Sequence, residues 1–289
     1  MDCIEFCDVS FTYPDDEDIV DTEGQIVKSQ PIFEHFSGKI PSGFTSLIGP
    51  NGSGKSTFLL LASGRLLPQN GHCLLFGRKI ASLNETEKNL CASVIYQNME
   101  FESGDSVFEL LTQVYKAGNF KGTARGVLSE NTTSHDLLDE CIENFELSSI
   151  LNHRLIELSK GEIQRVLLAF SLLYGSVAIF MDEPLFAMEE KQKEKALSYL
   201  RTFHEKTNTA IFISMHELDL TRKFAKEVLL FYPDRTIAYG TPEEVMTDTD
   251  LEKAYGVPVS MLKHKENMTR EELSQIAEAA LSMQKTLDS

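Results

Sequence analysis

Residues Gly49 to Thr57 read GPNGSGKST and satisfy G-x-x-x-x-G-K-S/T, with Gly49, Gly54, Lys55 and Ser56 at the fixed places. The pattern constrains the fold because it works only between a strand and a helix. Glycines let a diphosphate approach the main chain, and the backbone N–H groups that follow form an anion nest at the helix start. The segment Gly49, Pro50, Asn51, Gly52, Ser53, Gly54, Lys55, Ser56 and Thr57 is therefore a phosphate cradle. In this pattern Lys55 reaches the β- and γ-phosphates and Ser56 offers its hydroxyl to a Mg²⁺ bridging them. The flanks have the required character: Phe44 to Ile48 is a short apolar run ending in Gly-Pro, and Thr57 to Ala62 reads as a buried helix start.

The chain has 289 residues, 42 % of them hydrophobic, enough for one large core or two modest ones. Its longest apolar runs, such as Val177 to Met181 and Ala210 to Ile213, fall far short of the roughly 20 residues a membrane span needs. The opening Met1-Asp2-Cys3-Ile4-Glu5 is acidic and unlike a signal peptide, so a cytosolic protein is expected. A net charge of −17 argues against a broad electrostatic grip on nucleic acid or an anionic membrane. Five cysteines without a C-x-x-C pair speak against metal binding and do not call for disulfides.

Ile4 to Tyr13 alternates apolar and polar side chains and stops at Pro14, as a half-buried strand does. The acidic run Asp15 to Asp18 leads into a hairpin pattern, Ile19-Val20 and Ile26-Val27, that reads as a solvated extension. A second strand runs from Pro31 to the turn at Pro41-Ser42-Gly43. Past the cradle, His72 to Phe76 reads as a strand, Asn84 to Asn89 as a polar helix and Leu90 to Tyr96 as an apolar strand. Gln97, just beyond it, is by itself an ordinary cap or loop residue. Ser106 to Leu158 is mostly helical, with Gly118 to Thr133 looping out, and Leu158-Ser159-Lys160-Gly161-Glu162 precedes a helix expected over 163–173 with a serine cap.

Ser176 to Met181 is nearly all apolar, the mark of a strand covered on both faces of a parallel sheet. It delivers Asp182 and Glu183 at its carboxyl end, where open α/β sheets bind ligands. Strand alternation is expected to aim the two carboxylates differently. A helix over 191–206 and a second buried strand, Thr209 to Ser214, bring His216 to the same edge. A terminal hairpin, 227–231 with 236–239, and an amphipathic helix from Thr269 complete the pattern.

In this order the pieces resemble the nucleotide-binding subunit of the ATP-binding cassette family, from about Cys3 to Val259. Gly49 to Thr57 matches the phosphate loop, Gln97 the glutamine loop, Leu158 to Glu162 the family signature, Val177 to Glu183 the second nucleotide motif and His216 the switch histidine. Tyr13 resembles the aromatic residue that stacks on adenine. Lys160 stands where the signature usually has glycine, and Glu189 where the loop after Glu183 usually has aspartate.

The resemblance implies an α/β P-loop NTPase core, its sheet mixed but mainly parallel, with an antiparallel β subdomain and a helical subdomain over about 98–158. The cassette would occupy 1–260 and a helical tail 261–289. ATP and Mg²⁺ are the implied ligands, the metal held by Ser56, Gln97 and, through water, Asp182. Glu183 would polarise the attacking water, His216 would contact the γ-phosphate, and Ser159, Lys160, Gly161 and Glu162 of a second subunit would close the site. The implied partners are a second such subunit, identical or paired, and a separate integral-membrane permease on whose cytoplasmic face the chain sits. Residues 240–259 are similar, more weakly, to importers of iron-siderophore, haem or cobalamin complexes. A soluble ATPase serving an assembly other than a transporter, or a dimerising module with little turnover, are the alternatives.

Overall fold

A computed structural model describes residues 2–14, 28–97, 99, 103–128 and 136–266. The expected hairpin over 19–27 and the helix from Thr269 lie outside the described residues. In chain order, strands β1 (Asp2–Phe11), β2 (Phe33–Pro41) and β3 (Phe44–Ile48) precede helix α1 (Lys55–Ala62). Strands β4 (Asn70–Leu75) and β5 (Arg78–Lys79), helix α2 (Glu85–Cys91) and strand β6 (Ala92–Ile95) follow. Helices α3 (Val107–Ala117), α4 (Leu137–Asn144) and α5 (Lys160–Tyr174) lead to β7 (Ala178–Asp182), α6 (Glu190–Thr207) and β8 (Ala210–Ser214). The chain continues through α7 (Leu218–Phe224), β9 (Glu227–Phe231), β10 (Ile237–Gly240), α8 (Pro242–Val245), α9 (Asp248–Tyr255) and α10 (Val259–Glu266).

Two sheets result. The antiparallel one has the order β2-β1-β4-β5, and the six-stranded one the order β10-β9-β3-β8-β7-β6, parallel except for the β9-β10 hairpin. This is the mixed, mainly parallel α/β architecture expected. β3 and β8 are buried at every position and β7 at all but its last, which is why their sequences run apolar instead of alternating. Alternate residues nonetheless serve different cores. Ile179, Met181, Ile211 and Ile213 pack with the α3 to α6 helices. Ala178, Phe180, Ala210 and Phe212 pack with α1 and the antiparallel sheet, Phe180 and Phe212 stacking with centroids 5.1 Å apart.

Several boundaries differ from the sequence reading by a few residues, and two of the differences have a clear cause. Leu90 and Cys91 finish α2, whose Asn84 cap and Glu87 form a capping box, so the strand begins at Ala92. The signature helix begins at Lys160, three residues before the expected start, because Ser159 caps it directly. Residues 118–128 form no helix or strand, as expected of the start of that loop. Buried Glu140 accepts from the N–H groups of Val127 (2.7 Å) and Leu128 (2.9 Å) and from Tyr199 Oη (2.8 Å), which ties the loop to α4 and α6. Three donors offset the cost of burying that carboxylate.

Candidate nucleotide site

Four neighbouring parallel strands, β3, β8, β7 and β6, end on the same edge of the sheet. They deliver the phosphate loop, His216, Asp182-Glu183 and Gln97 respectively, so residues far apart in sequence meet there. Gly49 opens the loop at φ 139°, and an added Cβ would stand 2.5 Å from the carbonyl oxygen of Phe231. Glycine alone fits there. Gly54, at φ 104°, occupies the cap position of α1 and has no side chain to satisfy the first-turn N–H groups of Lys55, Ser56 and Thr57. An uncapped helix start facing outward is an anion site.

Lys55 is buried, and its Nζ donates to the carbonyl oxygens of Gly49 (2.8 Å) and Pro50 (2.9 Å). Burial pushes its pKa down, while the charges of Glu183 and Asp182 hold it up, which puts both carboxylates within electrostatic reach of the loop. Ser53 Oγ is buried with no hydrogen-bond partner among the described residues, so the loop contains a polar atom that a phosphate oxygen would satisfy. Asn51, Gly52 and Ser56 are exposed at its rim. Tyr13 Oη lies 3.1 Å from Thr57 Oγ1, and its half-open ring meets Phe11 edge-on at 4.9 Å. Gln69 fixes the approach to Tyr13 by pairing with both Thr12 N (2.9 Å) and Thr12 O (2.5 Å).

Asp182 Oδ1 accepts from Ser214 Oγ (2.6 Å), its register partner on β8, and Ser214 Oγ in turn accepts from Glu183 N (2.8 Å). Glu183 does not continue the strand. It sits at φ 48°, so a left-handed turn, and not the strand alternation expected, separates the two carboxylates. Glu183 then accepts from Gln97 Nε2 on one oxygen (2.7 Å) and from His216 Nε2 on the other (2.6 Å). The His216 bond is the main cause holding the Glu183 carboxyl below the usual carboxylate range, against partial burial. An ionised carboxylate only accepts, so the His216 proton is on Nε2.

The segment carrying His216 is held from α6. Lys193, 8 % exposed, donates to Glu217 Oε1, and to Glu190 Oε1 at 3.0 Å. Lys193→Met would leave Glu217 half-buried without its counter-ion. We expect a loss of about 1–3 kcal/mol in stability, measured by denaturant unfolding of the two proteins.

The signature is arranged differently. Ser159 N (2.8 Å) and Oγ (2.6 Å) both donate to Glu162 Oε2, and Glu162 N returns to Ser159 Oγ at 3.4 Å. This capping box keeps the hydrogen bonds of Ser159 and Glu162 within their own helix start, apart from the phosphate loop. Lys160 is exposed and Gly161 half-buried. A Cβ on Gly161 would stand 2.6 Å from the Ala187 carbonyl oxygen, and Ala187 N donates to Gln164 Oε1 (2.8 Å). The loop after Glu183 is thus fitted against the signature helix.

Ser214, Lys193, Glu217, Gln69 and Gln164 did not stand out in the sequence. Only Ser214 leaves a trace there, as a polar residue ending an otherwise apolar strand.

A glycine-built phosphate loop opposite paired carboxylates, on the carboxyl edge of a parallel sheet, defines a P-loop nucleotide-binding protein. The sequence model for ABC transporter matches residues 33–186. The chain belongs to that family, as a nucleotide-binding subunit. It is 30 % identical over 224 residues to the hemin import ATP-binding protein HmuV of Rhizobium meliloti, covering 75 % of this chain and 82 % of that one. It is also 30 % identical over 214 residues to the molybdenum import ATP-binding protein ModC of Saccharophagus degradans, covering 74 % of this chain but only 57 % of that one. In fold it is similar to a dimeric ATP-binding cassette in a post-hydrolysis state bound to ADP and Pi: TM-score 0.66, 21 % identity, 83 % of this chain and 98 % of the other.

Proposed function

We propose that the chain binds and hydrolyses ATP as the motor subunit of an ABC transporter and drives a separate integral-membrane permease through ATP-dependent dimerisation. The observation that carries this reading is the convergence of Gln97 and His216 on Glu183, on the sheet edge that also bears the phosphate loop and within electrostatic reach of Lys55. Lys55 would exchange the Gly49 and Pro50 carbonyls for phosphate oxygens, with the loop amides around them and Tyr13 against the adenine. Glu183 would accept a proton from the attacking water and His216 would turn from Glu183 to the γ-phosphate. Catalysis of this kind is mostly positioning and electrostatics. The cassette would span 1–260, with residues 98–158 as its helical subdomain and 261–289 as a tail.

The residues present suit Mg²⁺. Among the described residues no cluster of three or more His, Cys, Asp or Glu could hold a metal alone. Mg²⁺ asks for less, one or two carboxylates plus substrate phosphates and water. Ser56, Gln97 and, through water, Asp182 would hold it, and bound there it would neutralise charge on the phosphates.

Among the described residues no helix is long and apolar enough to cross a membrane. In this reading the permease is a separate chain. Placement on the cytoplasmic face and import of a metal chelate are the readings that similarity to the hemin import protein supports. No nucleic-acid partner is proposed, on the strength of the net charge. The test is to pull the tagged chain from detergent-solubilised native membranes. A polytopic protein co-purifying in stoichiometric amount is expected. A soluble partner instead would move the protein to an assembly other than a transporter.

A further inference from the structure

The C-terminal unit reaches the phosphate loop from behind. Gly49 N, at the peptide where β3 turns into the loop, donates to Tyr255 Oη at 3.0 Å. Gly49 O, on the far side of the same residue, accepts from Lys55 Nζ at 2.8 Å. Gly49 has no side chain and sits at φ 139°, so these two bonds and the contact with Phe231 determine how its peptides are turned. Tyr255 is the last residue of α9, and Gly256 ends the helix behind it in the left-handed conformation.

The helix that carries Tyr255 is itself fixed. Tyr232 Oη donates to Asp250 Oδ1 at 3.1 Å, Lys253 Nζ lies 4.4 Å from the Tyr232 ring centroid, and Arg222 donates to Met246 O at 2.5 Å. Leu251 and Ala254 share an apolar cluster with Ile48, one residue before Gly49, and with Leu218, two after His216. The unit is thereby packed against both flanks of the nucleotide site.

We propose that Tyr255 is a positioning residue for nucleotide binding: its phenol oxygen, by accepting the Gly49 N–H, orients the peptide from which the phosphate loop departs. The inference rests on the nucleotide-site reading above. Loop amides bind phosphate tightly only when already aimed at it, and freeing the peptide before them adds an ordering cost to binding. The hydrogen bonds of Asp182, Glu183 and His216 among the described residues do not include this hydroxyl, so the chemical step is expected to be left alone.

The experiment compares the full chain with Tyr255→Phe and Tyr232→Phe, measuring ADP affinity by calorimetry, KM and kcat for ATP, and thermal unfolding. Removing one hydrogen bond is expected to weaken ADP binding and raise KM about three- to tenfold in Tyr255→Phe, with kcat within about twofold. Tyr232→Phe removes a hydroxyl of the same unit that bonds to Asp250 and not to Gly49, while the ring under Lys253 and the Arg222–Met246 bond remain, so ADP affinity should change by less than about twofold. Unchanged ADP affinity in Tyr255→Phe overturns the proposal. So does equal weakening in both variants, which would mean general loosening of α9. If the unaltered chain binds no ADP at all, the nucleotide reading itself fails, a result distinct from either.

Discussion

Glu183→Gln is expected to lower ATP turnover by about a hundredfold or more while ATP still binds. The carboxylate is ionised, accepts from both Gln97 and His216, and stands at the end of β7 opposite Lys55. Glutamine keeps the size but has one acceptor where glutamate has two. Whichever way the amide turns, one of Gln97 and His216 then faces an NH₂ group, donor against donor. The amide also cannot take a proton from water, so the step that generates the nucleophile is lost rather than weakened. Binding depends on other groups, the loop amides and Lys55, and is expected to stay within a few-fold. If hydrolysis is what separates two subunits, the variant should accumulate as a dimer in ATP. Phosphate release read beside sedimentation in ATP checks both parts. Turnover near that of the unaltered chain would remove Glu183 from the proposed mechanism.

The parts of this site that could be read in the sequence are those whose chemistry is local. Gly49 and Gly54 lie at backbone angles that favour glycine, so a loop built on them is visible as spacing. The β7 and β8 strands show as apolar runs because both faces are covered, and Asp182, Glu183 and His216 show because they end those runs. Ser159 also declares itself, since a cap and its Glu162 partner are three residues apart. What stayed hidden are contacts made across space. Ser214 bonds to Asp182 from 32 positions away, Lys193 to Glu217 from 24, and Tyr255 to Gly49 from 206. Nothing in the residues around Tyr255 distinguishes it from a core aromatic. The early start of α5 is hidden for a related reason: glycine is a poor helix former, and the need for Gly161 comes from Ala187, which is 26 positions further along the chain.

That contact makes Gly161→Ala the second large effect. By helix propensity alone the change should stabilise, since alanine in a helix is favoured over glycine by about 1 kcal/mol. Packing opposes it. The new Cβ would stand 2.6 Å from the Ala187 carbonyl oxygen, a backbone atom that cannot rotate away as a side chain could. Ala187 is also held by Gln164 of the same helix, so the 185–188 segment and the helix start resist separation. Overpacking of this kind costs about 1–3 kcal/mol, and we expect it to outweigh the propensity gain. The loop or the first turn of α5 must shift by several tenths of an ångström. Ser159 and Lys160 would move with the turn, and Glu183, two residues before Leu185, is exposed to any shift of the loop. Nucleotide affinity of the single chain should barely change, because Ser159 and Glu162 keep their hydrogen bonds apart from the phosphate loop. ATP turnover, if it needs a second subunit's signature over the nucleotide, should fall at least about tenfold. Measuring ADP affinity, turnover and sedimentation in ATP on the same preparation separates the possibilities. Turnover lost with affinity and folding kept would place Gly161 in assembly across subunits. Affinity falling in parallel with turnover would instead tie the signature helix to the site of its own chain, contrary to the shared-site reading.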